Sequence, residues 1–288
     1  MRLLMHYVSK INLAGAVTPH GYQQHSVGFA RVSYVDHTNG SVHMGTGICS
    51  LDTAGTIQPH VHSFEESFYL LEGQVILQLN DEAVMLNAGN YGLIPTGTRH
   101  GWRCVSDQPA RWLENQSPQP RPSSYGRDTF FVGGEVPMSA PPLDAVSTHT
   151  HLLGYFDESM LPQPGEKSQM EGFNPTTGVA IKMFVDRSFG AVHQSLFLIQ
   201  YMPGAKIAPH DHTFEESYYI LSGEVEATCD GNVYRLTAGS VVWTSVGCIH
   251  SFENKGTEPV RWLETQSPLP PAKEVFRFEH EWAKYTTD

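Results

Sequence analysis

Two stretches of this chain are written in nearly the same letters. PHVHSFEESFYLLEG (59–73) returns as PHDHTFEESYYILSG (209–223), with ten of fifteen positions identical at an offset of 150 residues. The same offset, without a gap, lays YVDHTNGSVH (34–43) on FVDRSFGAVH (184–193) and LNAGNYGLIPTGTRHGW (86–102) on LTAGSVVWTSVGCIHSF (236–252). It also lays ARWLENQSP (110–118) on VRWLETQSP (260–268). A repeat of this length is a copied domain rather than a copied motif, and it decides the architecture. A chain of 288 residues has room for two such domains, at ~100–200 residues each. We assign 1–120 to an N-terminal domain, 121–164 to a connector and 165–288 to a C-terminal domain. The Pro-rich, polar stretches PQPRPSS (118–124) and GEVPMSAPPLDA (134–145) read as extended chain between the two.

Both copies are rich in strand-forming residues. FYLLEGQVILQL and YYILSGEVEATC are apolar, β-branched or aromatic, and each is broken by a Gly where a hairpin turns. LNDEAVM and CDGNVYRL carry tight-turn pairs at their tips. Many short strands at even spacing predict an all-β chain, with one small barrel or jelly roll in each half. A helical period is confined to SKINLAGA (9–16) and EVFRFEHEWAKY (274–285). The net charge of −12 argues against nucleic acid and anionic membrane as partners, because phosphate binding needs basic patches. No apolar run reaches the length of a membrane span, and the N-terminal apolar stretch is too broken for a secretory signal. Cys49, Cys104, Cys229 and Cys248 form no CxxC pair and are expected as reduced thiols in a cytoplasm.

The repeated clamp carries the chemistry. Alternate residues of a strand face one way, so His60 and His62 share a face, as do His210 and His212. Glu66 and Glu216 follow four residues later, at the expected start of the next strand. His100 and His250 arrive after a hairpin and the turns IPTGTRH and TSVGCIH, which can swing them back to the same point. Three imidazoles and one carboxylate suit Mn, Fe, Co, Ni, Cu or Zn. Four ligands leave two positions of a six-coordinate metal open, the mark of a catalytic site. Ordinary hydrogen-bonding histidines fit poorly with eight metal-capable side chains at identical spacing in two copies. One working site beside a structural or empty one stays open as an alternative to two working sites.

These motifs resemble those of the cupin family. GAKIAPHDHTFEESYYILSG (204–223) fits G(X)5HXH(X)3,4E(X)6G throughout, and the first copy fits except that Ala54 stands at the leading Gly. The second motif, G(X)5PXG(X)2H(X)3N, fits from Gly89 with Cys104 for the final Asn, and from Gly239 with Ser245 for the Pro. The resemblance covers nearly the whole chain. It implies a bicupin of two jelly-roll barrels, each with a 3-His/1-Glu site and one divalent transition metal. Neither copy has lost a ligand, which favours two metals.

On the strand after the second motif, Trp112, Glu114 and Gln116 share a face, as do Trp262, Glu264 and Gln266. Facing the metal, they make a substrate shell; in the opposite reading Arg111, Leu113, Arg261 and Leu263 face inward. His43 and His193 are expected to cap strand edges or to support a ligand, and Glu65 and Glu215 to point to solvent. Phe64, Tyr69, Phe214 and Tyr219 are expected in the core. SSYGRDTFFVGG (123–134) has no visible copy, and we expect it to cover a barrel mouth and offer Arg127 to a substrate carboxylate. The resemblance implies first an oxidoreductase of dioxygenase type, similar to quercetin and acireductone dioxygenases. Its substrate would be a small organic acid, enol or phenol, with Glu66 and Glu216 as catalytic carboxylates. The alternatives are a hydrolase, lyase or isomerase, such as a ureidoglycine aminohydrolase-like or decarboxylase-like bicupin, and a non-catalytic metal- or small-ligand-binding protein. The long extra segments expected of an oxalate decarboxylase are missing. A homodimer is expected from the pairing of apolar barrel faces.

Overall fold

The computed structural model describes residues 5–145, 151–162, 178–273 and 275–279. The alternating and apolar runs of both copies become strands. In the first half these are β1 (His6–Lys10), β2 (Ser26–Val35), β3 (Gly45–His62), β4 (Glu65–Glu72), β5 (Gln74–Leu79), β6 (Glu82–Asn87), β7 (Asn90–Ile94), β8 (His100–Cys104) and β9 (Ala110–Ser117). The connector supplies β10 (Thr129–Phe131) and β11 (Leu153–Tyr155). The second half follows with β12 (Val179–Val185), β13 (Ser195–Tyr201), β14 (His210–Asp211), β15 (Glu215–Ser222), β16 (Glu224–Cys229) and β17 (Asn232–Thr237). It ends with β18 (Ser240–Thr244), β19 (His250–Glu253), β20 (Val260–Ser267) and β21 (Arg277–Phe278).

The first barrel is one curled sheet in the order β11-β7-β4-β9-β3-β8-β5-β6, with β2 and β10 also on β3. The second is made of β1-β18-β15-β20-β13-β12 and β17-β16-β19-β14-β21. The fold is therefore all-β, two jelly-roll barrels in tandem, as the sequence predicts. The turn glycines of the repeat are structural: Gly73 has φ 80°, and a Cβ there would sit 2.7 Å from the Cα of Ala110. Ala54 holds the conformation its motif reserves for Gly, with φ 59° against 79° at Gly204. A side chain in that region costs about 1–2 kcal/mol.

The two barrels are interlocked by exchanged edges. β1, from the start of the chain, pairs with β18 of the second barrel, and β11, which precedes the second barrel, pairs with β7 of the first. Separate apolar cores fill each barrel, around Trp102 and Trp112 in one and around Phe252 and Trp262 in the other. A third cluster, with Met44, Tyr69, Leu113, Phe184, Trp243 and Leu263, joins them. The apolar barrel faces behind the homodimer expectation thus meet within one chain.

Three expectations are corrected here. Glu65 and Glu215 do not point to solvent: both are buried and reach into the opposite barrel. Glu65 accepts from the backbone N–H groups of Val192 and His193 at 2.9 Å each, and Glu215 from those of Val42 and His43 and from the Ser41 hydroxyl. His43 and His193 serve in this joint through their backbones, and among the described residues neither side chain bonds a clamp residue. The segment read as helix from residue 274 is strand at β21 within the described residues; 274 and 280–285 lie outside them. Of SKINLAGA, Ser9 and Lys10 close β1 and Leu13–Gly15 form a single 3-10 turn. Among the described residues no helix is long and apolar enough to cross a membrane.

A buried carboxylate holding two backbone N–H groups of another domain contributes substantially, at about 1.5–3 kcal/mol per charged hydrogen bond. Glu65→Ala is therefore expected to destabilise the protein by roughly 3 kcal/mol. Glu72→Ala, which breaks a surface pair with Arg111, should cost under about 1 kcal/mol. Equal unfolding midpoints for the two variants in chemical denaturation would contradict this account of the joint.

Candidate metal centres

Strand register brings each clamp together. His60 on β3 lies directly across from His100 on β8, and His210 on β14 across from His250 on β19. His62 and His212 follow two residues on, on the same face. Glu66 and Glu216, second residues of β4 and β15, pair with Gln116 and Gln266. The ring centroids of His60, His62 and His100 lie 4.1–4.8 Å apart, and those of His210, His212 and His250 4.4–6.1 Å apart. In both groups the nearest ring nitrogens lie within 4.8 Å of one another. All eight clamp residues are buried.

Hydrogen bonds behind the rings set their tautomers. Nδ1 of His60, His100, His210, His212 and His250 each faces a backbone carbonyl, of Gln58, Thr98, Ala208, Phe214 and Cys248, at 2.7–3.0 Å. A carbonyl only accepts, so Nδ1 carries the proton and Nε2 presents its lone pair to the centre. Nδ1 of His62 lies 3.0 Å from the Thr129 hydroxyl. Phe64 and Phe214 stack on His62 and His212 at 4.3 and 4.1 Å, so they brace these rings as well as filling space.

The donors fit a metal. Nε2 of His62, His100 and His212 and Oε1 of Glu66 are buried without a hydrogen-bond partner. Buried polar atoms are normally paired, and a cation at each of the two points where these four converge would satisfy them. The Nε2 atoms of His62 and His212 lie 3.1 and 2.7 Å from the Glu66 and Glu216 carboxylates. Burial, followed by the neighbouring rings, holds His60 well below the ordinary imidazole value; burial also lowers His62 and His100 to about 4 and His210 to about 3. Burial raises Glu66, and His100 and Arg31 only partly oppose it. Burial would raise Glu216 too, but the close contact with His212, aided by His250, takes it well below the usual carboxylate range.

The surroundings are not copied. Phe68 of the first barrel becomes Tyr218 in the second, where its hydroxyl donates to Glu216 Oε2 and lies 3.1 Å from His250 Nε2. Gln266 donates to Glu216 Oε1 at 2.8 Å, while Glu66 Oε1 has no such partner. Arg31, inside the first barrel, donates to Glu114 at 2.6 Å; the copy of Arg31 is Ile181. Glu264 accepts instead from the indole of Trp262 at 2.9 Å. Burial raises both Glu114 and Glu264, and in each case the nearby clamp glutamate raises it further.

The inward reading of the RWLE strand is the observed one. Trp112, Glu114, Trp262, Glu264 and Gln266 are buried in the barrels, Gln116 is half-buried beside Glu66, and Arg111 and Arg261 lie towards the outside. Trp112 stacks on Trp102 at 4.9 Å in the depth of the core, whereas Trp262 borders open space. That space is a cavity of about 30 Å³ against His210, Glu216, His250, Tyr201, Glu264 and Phe276. A second cavity of about 290 Å³ opens over Gln266, Ser195 and Met183, walled by Arg187, Pro270 and Val275.

The connector covers the first clamp as expected: β10 pairs with His60–His62, and Phe131 lies 5.0 Å from the His60 ring. Arg127 is exposed just before it and makes no contact with the clamp among the described residues. The segment does have a counterpart. β21 pairs with His210 and Asp211 in the same way and brings Phe276 and Phe278 to 5.3 and 5.5 Å from His210. Its offset differs from the main repeat, which hid it. Tyr22, whose ring lies 5.5 Å from His60, carried no sequence signal.

Comparison with known proteins agrees with this geometry. The sequence matches the Cupin domain family over residues 47–114 and again over 197–265. It is 32% identical over 89 residues to the tetracenomycin polyketide synthase protein TcmJ of Streptomyces glaucescens, covering 31% of this chain and 60% of that protein. It is 26% identical over 115 residues to the polyketide synthase CurC of Streptomyces cyaneus, covering 40% of this chain and 75% of that protein. In fold it resembles the salicylate 1,2-dioxygenase of Pseudoaminobacter salicylatoxidans with gentisate adducts (TM-score 0.68, 16% identity, 94% of this chain and 84% of that one). It also resembles the oxalate decarboxylase of Lactobacillus farciminis (TM-score 0.62, 17% identity, 90% and 85%).

The depressed imidazoles make a pH prediction. Their unfolded value is about 6.5, so on acidification the unfolded chain takes up protons first. The stability of the metal-free protein should be intact above about pH 6.5 and fall steadily towards about pH 4. Thermal midpoints of metal-free protein across that window check this. In a His62→Gln, His100→Gln double variant the fall should be smaller; an identical fall would contradict the assignment.

Proposed function

The chain is a bicupin, a member of the cupin family with a cupin domain in each half, and on that premise we propose that it is a metal-dependent oxidoreductase of dioxygenase type. The substrate is a small organic acid, enol or phenol. One observation carries the reading: two buried clusters of three imidazoles and a carboxylate, with ligand atoms gathered at one point in each and Nε2 of His62, His100 and His212 without a hydrogen-bond partner. A divalent transition metal held by His60, His62, Glu66 and His100, or by His210, His212, Glu216 and His250, would supply Lewis acidity and open positions for substrate and O2. The gentisate-bound salicylate dioxygenase and the polyketide-synthase cupins support a hydroxylated aromatic acid within that range.

We assign turnover to the second barrel. There Tyr218 and Gln266 hold both oxygens of Glu216 and fix the carboxylate's orientation. Among the described residues no cation lies against Glu264, which borders the cavity beside Glu216, where it can pass a proton to or from a bound substrate. Trp262 and Phe276 give the cavity an apolar wall, and the larger chamber over Gln266 is the approach. In the first barrel Arg31 ties up Glu114, and Glu66 and Gln116 stand ready for metal and substrate without that proton path. Arg127 is available to a substrate carboxylate at the first barrel's cover.

The test is O2 uptake by the full chain with a panel of small phenolic and enolic acids. O2 loss should match substrate loss, Glu216→Ala should reduce the rate at least about tenfold, and Glu66→Ala should reduce it less. Turnover at an undiminished rate without O2 would replace the reading with a lyase or hydrolase. Tight substrate binding with no turnover at all would replace it with a binding protein.

A further inference from the structure

A third group of ligating side chains lies outside both clamps. His6 on β1, Asp230 in the turn after β16 and Cys248 in the turn before β19 place a ring nitrogen, a carboxylate oxygen and a thiol sulfur within 4.8 Å of one another. Oδ2 of Asp230 lies 3.2 Å from His6 Nδ1, and the Cys248 thiol lies 3.5 Å from the same oxygen. Behind the ring, His6 Nε2 is 2.9 Å from the Tyr234 hydroxyl. Asp230 is itself fixed, accepting from the Ile249 N–H through Oδ1 at 3.2 Å. Cys248 is wholly buried, while Asp230 is 31% exposed and leaves the cluster open on one side.

We infer that His6, Asp230 and Cys248 form a third metal site, for a zinc-type divalent ion, that fastens the exchanged strand β1 to the second barrel. The donor set of one nitrogen, one oxygen and one sulfur suits Zn²⁺, and the open side admits a water as fourth ligand. Tetrahedral ligands at about 2.0–2.3 Å from the ion stand roughly 3–4 Å apart, and the separations from Asp230 Oδ2 already fall there. With Nε2–H donating to Tyr234, the His6 ring turns its Nδ1 lone pair towards the site, the support a metal-bound histidine requires. On binding, Cys248 gives up its thiol proton to solvent and coordinates as thiolate.

The repeat supplies its own control. At the copies of Asp230 and Cys248 the first barrel has Asn80 and Thr98, neither of which is a ligand of this kind. Leu153 of β11 pairs with Gly92, so the same register carried two residues further puts His151 opposite Ile94, as His6 lies opposite Thr244. His151 is exposed. The same histidine is thus present at both exchanged edges, and among the described residues only His6 meets a carboxylate and a thiol.

The test loads the full chain with Co²⁺ as the only divalent metal. A thiolate-to-cobalt charge-transfer band in the near ultraviolet is expected, and neither clamp can produce it because neither contains sulfur. Cys248→Thr should abolish the band and remove one cobalt per chain. Asp230→Asn, which installs the residue that already occupies the copied turn, should weaken cobalt binding at this site at least about tenfold, and Tyr234→Phe about 10–100-fold. His6→Ala should act like Cys248→Thr and serves if that variant fails to fold, and His151→Ala should change nothing. A fully loaded wild-type chain without the band, or a band that survives His6→Ala at unchanged intensity, would overturn the site.

Discussion

The hydrogen bond from a ring Nδ1–H to a backbone carbonyl is the interaction on which the centres depend. It is made behind five of the six clamp histidines, and each time the acceptor is within two residues of the ring it holds. The acceptor therefore belongs to the same short stretch of chain as the histidine, and the tautomer is set locally. What remains for the fold is to bring the strands into register. Pairing His60 with His100, and His210 with His250, does that with two cross-strand contacts. The cost of burying polar rings and a carboxylate is accepted because a bound cation satisfies the atoms the protein does not.

Around that constant geometry the two copies diverge. The changes lie one layer away from the clamp: Phe68 to Tyr218, Arg31 to Ile181, Leu51 to Tyr201. Each replaces or moves a charge or hydroxyl beside a glutamate without touching a metal-capable residue. One barrel has a glutamate tied to a guanidinium; the other has a glutamate carboxylate held from both sides and a second one that accepts from an indole. Interlocking is the other consequence of duplication. Glu65 and Glu215 join the barrels reciprocally, and the exchanged strands β1 and β11 close each barrel with chain from outside its own repeat.

The clamp and the barrels were legible because both follow from period-two alternation and from spacing repeated at 150 residues. The same alternation put Glu114 and Gln116, and Glu264 and Gln266, on a shared face, and it left open which face turned inward. Glu65 and Glu215 were misread because local alternation says which way a side chain leaves its strand, not what stands there; the opposite barrel takes the place of solvent. The β21 cover escaped notice because FRF and TFF align at 147 residues rather than 150. Arg31, Tyr22 and His6 are single residues with no periodic signal, and their roles arise only from contacts far apart in sequence.

The central claim is that both clamps hold metal. Elemental mass spectrometry of the chain purified without chelator, beside His60→Ala and His210→Ala, tests it most directly. Each variant should contain one metal per chain fewer than the wild type, and combining them should remove two. If either variant keeps the full metal content, that clamp binds no ion, and the account of two metal centres is wrong.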